Sequence, residues 1–382
     1  MTAAPPPSVG WVAIASGALD VGASDLFADG LDILVLPAEP GEPFCLTGAG
    51  ALLWRRLVTH SPVSPAGAEE REMLEAMTAL GIASDDPAHP ARITRLDPPV
   101  LSSPFHELAY ALTARVAAAR GIPCVFVKGP ALHHQGLRER EHSGDVDVWC
   151  PPARWDALAD ALAAWGWSRE PDPWRGTSVH HTATMTPGGW GCEIDVHRRI
   201  PGLALDDAEA FDAVARRSET VVYAGVELSI PRADVHAVLA AVHAVRPEIG
   251  AGPRSAVASA TAVALLAAAV GSGERACELG AVPVLATELA GLLPADTIAR
   301  HRDGLPRDWA WRAAPDRVRA YWRALQGEDL PKRIRVLWRF VWPPDDIALA
   351  SARHAGETGL SPALARWRRL RRGLCSLRPA SR

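Results

Sequence analysis

The chain has 382 residues and a formal net charge of −4. At roughly 100–200 residues per domain, that length predicts two or three domains, and 48% hydrophobic with 22% charged residues excludes long disorder. The slightly acidic balance excludes a global positive field for nucleic acid, so any such contact must be local.

In chain order, residues 1–8 are Pro-rich and predicted to be loose. The short apolar runs VGWVAIA and LDILVLP, between 9 and 37, predict strands. Thr47 is placed to cap a helix carrying Ala51, Leu52, Trp54 and Leu57. A second helix, Ala68 to Leu80, sets Leu74, Met77 and Leu80 on one face, with Gly81 beyond its end. ARITRL, 91–96, reads as a closing strand. Together these predict a small winged-helix-like module over 1–98. Pro104 to Arg120 is a helix with Leu108, Leu112 and Val116 on one stripe. PCVFVKG, 123–129, is a buried strand, followed by a short helix from Ala131 to Leu137. GDVDVW, 144–149, is another strand, and Trp155 to Trp165 an amphipathic helix. SVHHTATMT and GCEIDVH, separated by Pro187-Gly188-Gly189, read as an antiparallel hairpin. An α+β unit therefore spans 99–202. The remainder, 203–382, is mostly helical after a hairpin at 221–230, with helices at about 231–246, 253–271, 281–291, 314–326, 331–340 and 360–374. Arg366, Arg368, Arg369, Arg371, Arg372, Arg378 and Arg382 make a basic tail, either a solvated helix face or a patch for a polyanion or acidic partner.

Six cysteines form no Cys-x-x-Cys pair, so neither a structural zinc site nor a disulfide framework is expected. The N-terminus lacks a positively charged start. The longest apolar run, Ala256 to Val270, falls short of the roughly 18–20 residues that span a bilayer. A cytoplasmic protein with no membrane partner is the expectation.

Asp145 and Asp147 share one face of a predicted strand, about 6–7 Å apart along the chain. Acid-x-acid triplets recur elsewhere, as in Glu70-x-Glu72 and Glu139-x-Glu141, but these two interrupt an apolar strand. Acids there are costly unless something compensates them. Two such oxygen donors can hold Mg²⁺ together with phosphate oxygens. Asp195, on a later strand, would add the third carboxylate of a two-metal phosphoryl-transfer site. Glu193 and His197 share its face and could orient a carboxylate. Upstream, VFVKGPAL is a strand, a glycine turn and a helix, where Lys128, Gly129 and the free N–H groups of the turn could meet a phosphate. Lys128 is one of only two lysines among 40 basic residues. Gly144 permits a sharp entry into the acid strand, and Arg138 and Arg140 lie just before it. His133 and His134 follow the turn and could approach a base or ribose. His180 and His181 read as surface residues, and His236 and His243 as core.

Lys128-Gly129-Pro130-Ala131-Leu132, then Gly144-Asp145-Val146-Asp147, then Glu193-Ile194-Asp195-Val196-His197 resembles the uncharacterised nucleotidyltransferase family of the polymerase-beta-like superfamily. The resemblance covers about 105–200, and more loosely runs to 350. It implies a mixed sheet flanked by helices, two Mg²⁺ ions bound by Asp145, Asp147 and Asp195, and transfer of a nucleoside monophosphate from an NTP to an acceptor hydroxyl. Lys128, Gly129, Arg140 and Gly144 would hold the nucleotide. Three positions depart from the pattern: Pro130 replaces Ser or Gly, Glu141 stands where Arg is common, and Trp149 replaces Leu. The segment 9–96, with Leu46-Thr47-Gly48-Ala49-Gly50-Ala51-Leu52-Leu53-Trp54, resembles PqqD-like peptide-recognition domains of ribosomal-peptide maturation systems. That resemblance implies a precursor peptide as partner, bound by strand addition. The expectation is an Mg²⁺-dependent nucleotidyltransferase acting on such a peptide. The alternatives are an inactive binding protein of the same fold, or a toxin- or antitoxin-type enzyme acting on tRNA or protein; a nucleic-acid partner is not favoured.

Overall fold

The computed structural model describes residues 10–24, 30, 32–249 and 254–376. The expectations for residues 1–8, Arg378 and Arg382 lie outside these. The first elements are β1 (Val12–Ala13), β2 (Gly17–Leu19), β3 (Ile33–Leu36), β4 (Phe44–Leu46), helices α1 (Gly48–Leu57) and α2 (Ala68–Ala79), and β5 (Ala83–Ser84). β2, β3 and β4 form an antiparallel sheet, and β1 pairs with β5. Trp54, fully buried, anchors this module, and its indole N–H donates to the Ile82 carbonyl at 2.9 Å. Three details differ from expectation. Thr47 makes no side-chain cap; the Gly48 N–H donates instead to Asp32 Oδ2 at 2.8 Å. Leu80 is exposed, one position past the helix end. Residues 91–96 are not a strand: only Arg92 bridges to Ile14, and Ile93 is buried without joining a ladder.

The central unit runs α3 (Pro104–Ala119), β6 (Val125–Phe126), α4 (Gly129–His134), β7 (Asp145–Trp149), α5 (Trp155–Ala163), β8 (Trp167–Arg169), β9 (Thr182–Pro187), β10 (Glu193–His197), α6 (Asp207–Ala215), β11 (Ser218–Tyr223), β12 (Val226–Pro231) and α7 (Ala233–Ala244). Its five-stranded sheet has the order β6-β7-β10-β9-β8. Only β7 and β10 pair in parallel, so the sheet is mixed. Strand alternation separates the two faces. Val146, Val148, Ile194 and Val196 face a core shared with α3 and α5, and Trp149 joins a second core with α6 and α7. The polar residues of β7 and β10 thus lie between the sheet and α7.

The hairpin β11–β12 packs on α3 and β6, so the chain beyond 202 continues the same core. Helices α8 (Ala256–Ala268), α9 (Ser272–Glu278), α10 (Val282–Leu285), α11 (Ala295–His301), α12 (Arg307–Arg312), α13 (Arg317–Gln326), α14 (Leu330–Val341), α15 (Asp345–His354) and α16 (Pro362–Ser376) complete it. The helix expected over 281–291 is only the four residues of α10. Among the described residues no single helix is long and apolar enough to cross a membrane.

Glu107 ties three of these parts together. It is 1% exposed, and its carboxylate accepts the N–H groups of Val100, Leu101 and Ala224 at 2.8, 2.9 and 2.9 Å. Burial pushes its pKa up, against the pull of those N–H donors. Ala224 sits at φ 47°, in the left-handed turn of the β11–β12 hairpin. Glu107→Ala would strand three donors, and a loss of about 3 kcal/mol or more in chemical denaturation is expected. An unchanged midpoint would show that the clamp is dispensable.

Candidate functional site

β10 lies beside β7 in a register that sets Asp195 opposite Asp147 and Glu193 opposite Asp145. A cavity of about 690 Å³ covers this face, and Lys128, Gly129, Asp145, Asp147 and Asp195 all line it. One ligand atom each from Asp147, Asp195 and His197 lie within 4.8 Å of one another. Asp145 is half-buried, one alternate position upstream. Its main-chain carbonyl meets Ser143 Oγ at 2.9 Å and His106 Nε2 at 3.0 Å, which fixes the entry into β7.

Asp147 is 3% exposed, and its Oδ1 meets both Lys128 Nζ and His197 Nε2 at 2.6 Å. Burial acts to raise its pKa. The His197 hydrogen bond and the Lys128 ammonium outweigh it and hold the carboxyl well below the usual range. Asp145 moves the opposite way: burial, then the charges of Asp147 and Asp195, push it up. Neighbouring acids with opposed shifts are a pattern of functional sites. Strand β9 supports the others. Thr184 Oγ1 donates to Asp195 Oδ1 at 2.6 Å, and Thr182 Oγ1 meets His197 Nδ1 at 2.8 Å.

Lys128 reaches Asp147 from a backbone that lysine rarely adopts. Its φ of 62° and ψ of −152° belong to a region populated essentially by glycine, at a cost of about 1–3 kcal/mol. Its N–H donates to His236 Nε2 at 2.8 Å, and His236 Nδ1 meets Gln135 Oε1 at 2.7 Å. Gln135 is held in turn by the Pro231 carbonyl and Glu219. Burial pushes the His236 pKa down to about 3, so the neutral ring keeps Nε2 free to accept. His236 is a core histidine, as expected, but one that fixes the turn. Gly129 follows at φ 51°, where a Cβ would come within 2.6 Å of the Tyr110 hydroxyl oxygen. α4 is only six residues long, and Pro130 in its first turn has no N–H.

Several expected residues lie elsewhere. Arg140 is exposed and does not line the cavity; Arg138 does, and its Nη2 donates to the carbonyls of Glu141 and His142 at 2.9 and 2.7 Å. Gly144 is exposed and outside the lining, and Glu193 is exposed at the strand start. His133 and His134 are exposed. His180 is buried and His181 half-buried, not surface residues, because the loop carrying them is covered by Trp155 and Arg246. Two titratable lining residues lie outside the expected set, His243 near the end of α7 and Arg246 just beyond it. Burial lowers the Arg246 pKa, opposed by the charges of Asp147, Asp308 and Asp195. The available signal was polar residues spaced seven and three apart on an apolar helix, His236, His243 and Arg246.

Asp147→Asn removes the charge shared by Lys128 and His197, and a cost of about 3–5 kcal/mol is expected in denaturation at pH 7. The folded-state pKa is depressed, so this contribution is complete above the unfolded-state value and lost as pH falls below it. The gap between wild type and variant should be constant above about pH 5 and narrow progressively as pH falls below about 4, closing only once pH passes the depressed folded-state value. A gap that does not narrow at all between about pH 5 and pH 2 would remove the ion-pair account.

No curated protein matches the chain. The span that holds Lys128, Asp145, Asp147, Asp195, His197, His236 and Arg246, residues 107–257, matches the family model described as an uncharacterised nucleotidyltransferase.

Proposed function

We propose that the protein transfers a nucleoside monophosphate from an NTP to an acceptor hydroxyl. The observation that carries the reading is the parallel register of β7 and β10, which brings Asp147 and Asp195 side by side under one cavity. Two carboxylates and an imidazole within 4.8 Å, with Asp145 adjacent, suit a divalent cation by donor chemistry. Asp145, Asp147 and Asp195 would hold Mg²⁺, with His197 orienting Asp147. When bound, Mg²⁺ would neutralise phosphate charge and lower the pKa of the acceptor hydroxyl.

The chain's own residues supply the rest. Lys128, Arg138 and Arg246 offer positive charge to the triphosphate. Lys128 sits on Asp147 through an ion pair, so it is placed to exchange that partner for a phosphate oxygen. Asp195, oriented by Thr184, takes the proton of the acceptor hydroxyl. The acceptor oxygen then bonds to the α-phosphorus, and the bond to pyrophosphate breaks.

Within this reading the acceptor is a ribosomally made peptide presented by the N-terminal module. The support is β4, an edge strand of β2-β3-β4 whose outer side has no strand partner among the described residues. Such an edge accepts an extended peptide.

Calorimetry with ATP or GTP tests the reaction class. Mg²⁺-dependent binding is expected in the wild type, and Asp145→Ala should weaken it at least about tenfold. Equal binding, or none by the wild type, would overturn the reading. Hydrogen exchange tests the acceptor: a cognate precursor peptide should slow exchange across Phe44–Leu46. Unchanged exchange there would remove the peptide while leaving nucleotide binding intact.

A further inference from the structure

Helix α14 is mounted with its apolar side outward. Leu330, Ile334, Leu337, Trp338 and Val341 recur at i, i+4, i+7, i+8 and i+11, which is one face of an α-helix. The five are 66, 59, 42, 62 and 55% exposed. The opposite side holds buried Val336 and the guanidinium of Arg339, which donates to the carbonyls of Pro173 and Arg175 at 3.2 and 2.7 Å. An arginine is fastened to the body of the protein while the aliphatic stripe faces water. α13 does the same on a smaller scale, with Val318 and Trp322 exposed one turn apart. Trp342, just past α14, and Trp367 on α16 are exposed as well. Single exposed apolar residues are ordinary, but a stripe of this length marks a contact surface.

Charge indicates what covers it. Residues 317–376 hold thirteen Arg and Lys against five Asp and Glu, in a chain that is acidic overall. Arg335 is exposed on α14 beside the stripe. Aliphatics and tryptophans edged by arginine are the composition of a helix that rests in the headgroup boundary of an anionic bilayer. A single-stranded nucleic acid would use the tryptophans and arginines, but not the stripe of Leu330, Ile334, Leu337 and Val341. We propose that α14 docks the protein on an anionic lipid surface. The helix would lie on the bilayer and not cross it, so the inference requires no membrane-spanning helix. It is independent of the nucleotidyl transfer proposed above.

Co-sedimentation of the full-length protein with vesicles tests it. The vesicles are phosphatidylcholine alone, or phosphatidylcholine with a third replaced by phosphatidylglycerol. Wild type should bind the anionic vesicles, less so as salt rises. The double variant Ile334→Asp, Trp338→Asp should bind at least about tenfold less with an unchanged melting temperature, because both side chains are exposed. Arg335→Glu should weaken anionic binding and leave any residual binding to neutral vesicles unchanged. Failure of the wild type to bind anionic vesicles would overturn the proposal, as would equal binding by the double variant. Dimerisation or RNA retention that is lost in the double variant, in place of vesicle binding, would assign the face to a second copy or to nucleic acid.

Discussion

A carboxylate with almost none of its surface in water must be neutralised from inside the protein, and Asp147 sets that requirement here. The nearest solutions are a lysine and a histidine on one oxygen. Each has structural consequences. His197 is supplied by the neighbouring parallel strand, so the sheet register itself provides one of the two hydrogen-bond partners. Lys128 comes from the turn after β6 and reaches Asp147 only by adopting a backbone suited to glycine.

That strain is absorbed over a long distance in sequence. His236 lies 108 residues beyond Lys128, and Gln135 and the end of β12 hold the ring in place. The polar face of the sheet, the turn before α4 and helix α7 therefore act as one electrostatic unit. The hairpin β11–β12 belongs to that unit as well, since Glu107 ties its turn to α3. The family match, residues 107–257, contains every member of that unit.

Much of the sheet was legible in the sequence because acids at alternate positions of an apolar strand have few explanations. Asp145, Asp147 and Asp195 could be placed on strands from period-two patterning alone. The lysine stood out because arginine replaces it almost everywhere else. What could not be read was pairing across distance. Nothing local in DVHAVLAAVHAVR says that His236 meets a main-chain N–H in another segment, or that Arg246 faces the acids. Arg138 and Arg140 were indistinguishable by spacing, and loop conformation separates them. Ile93 shows the converse: a strand-like run is reduced to a single bridge at Arg92, with Ile93 buried and its N–H on the Ala13 carbonyl at 2.9 Å.

The two facing aspartates stand on adjacent strands of one sheet, so their separation follows from the near-constant inter-strand spacing of about 4.8 Å. The walls above them come from elsewhere, from the end of α7, the turn before β7 and the later turns of α8. A lineage could therefore recut those walls for new partners by drift in loops and helix ends, while inheriting the spacing of its acids unaltered.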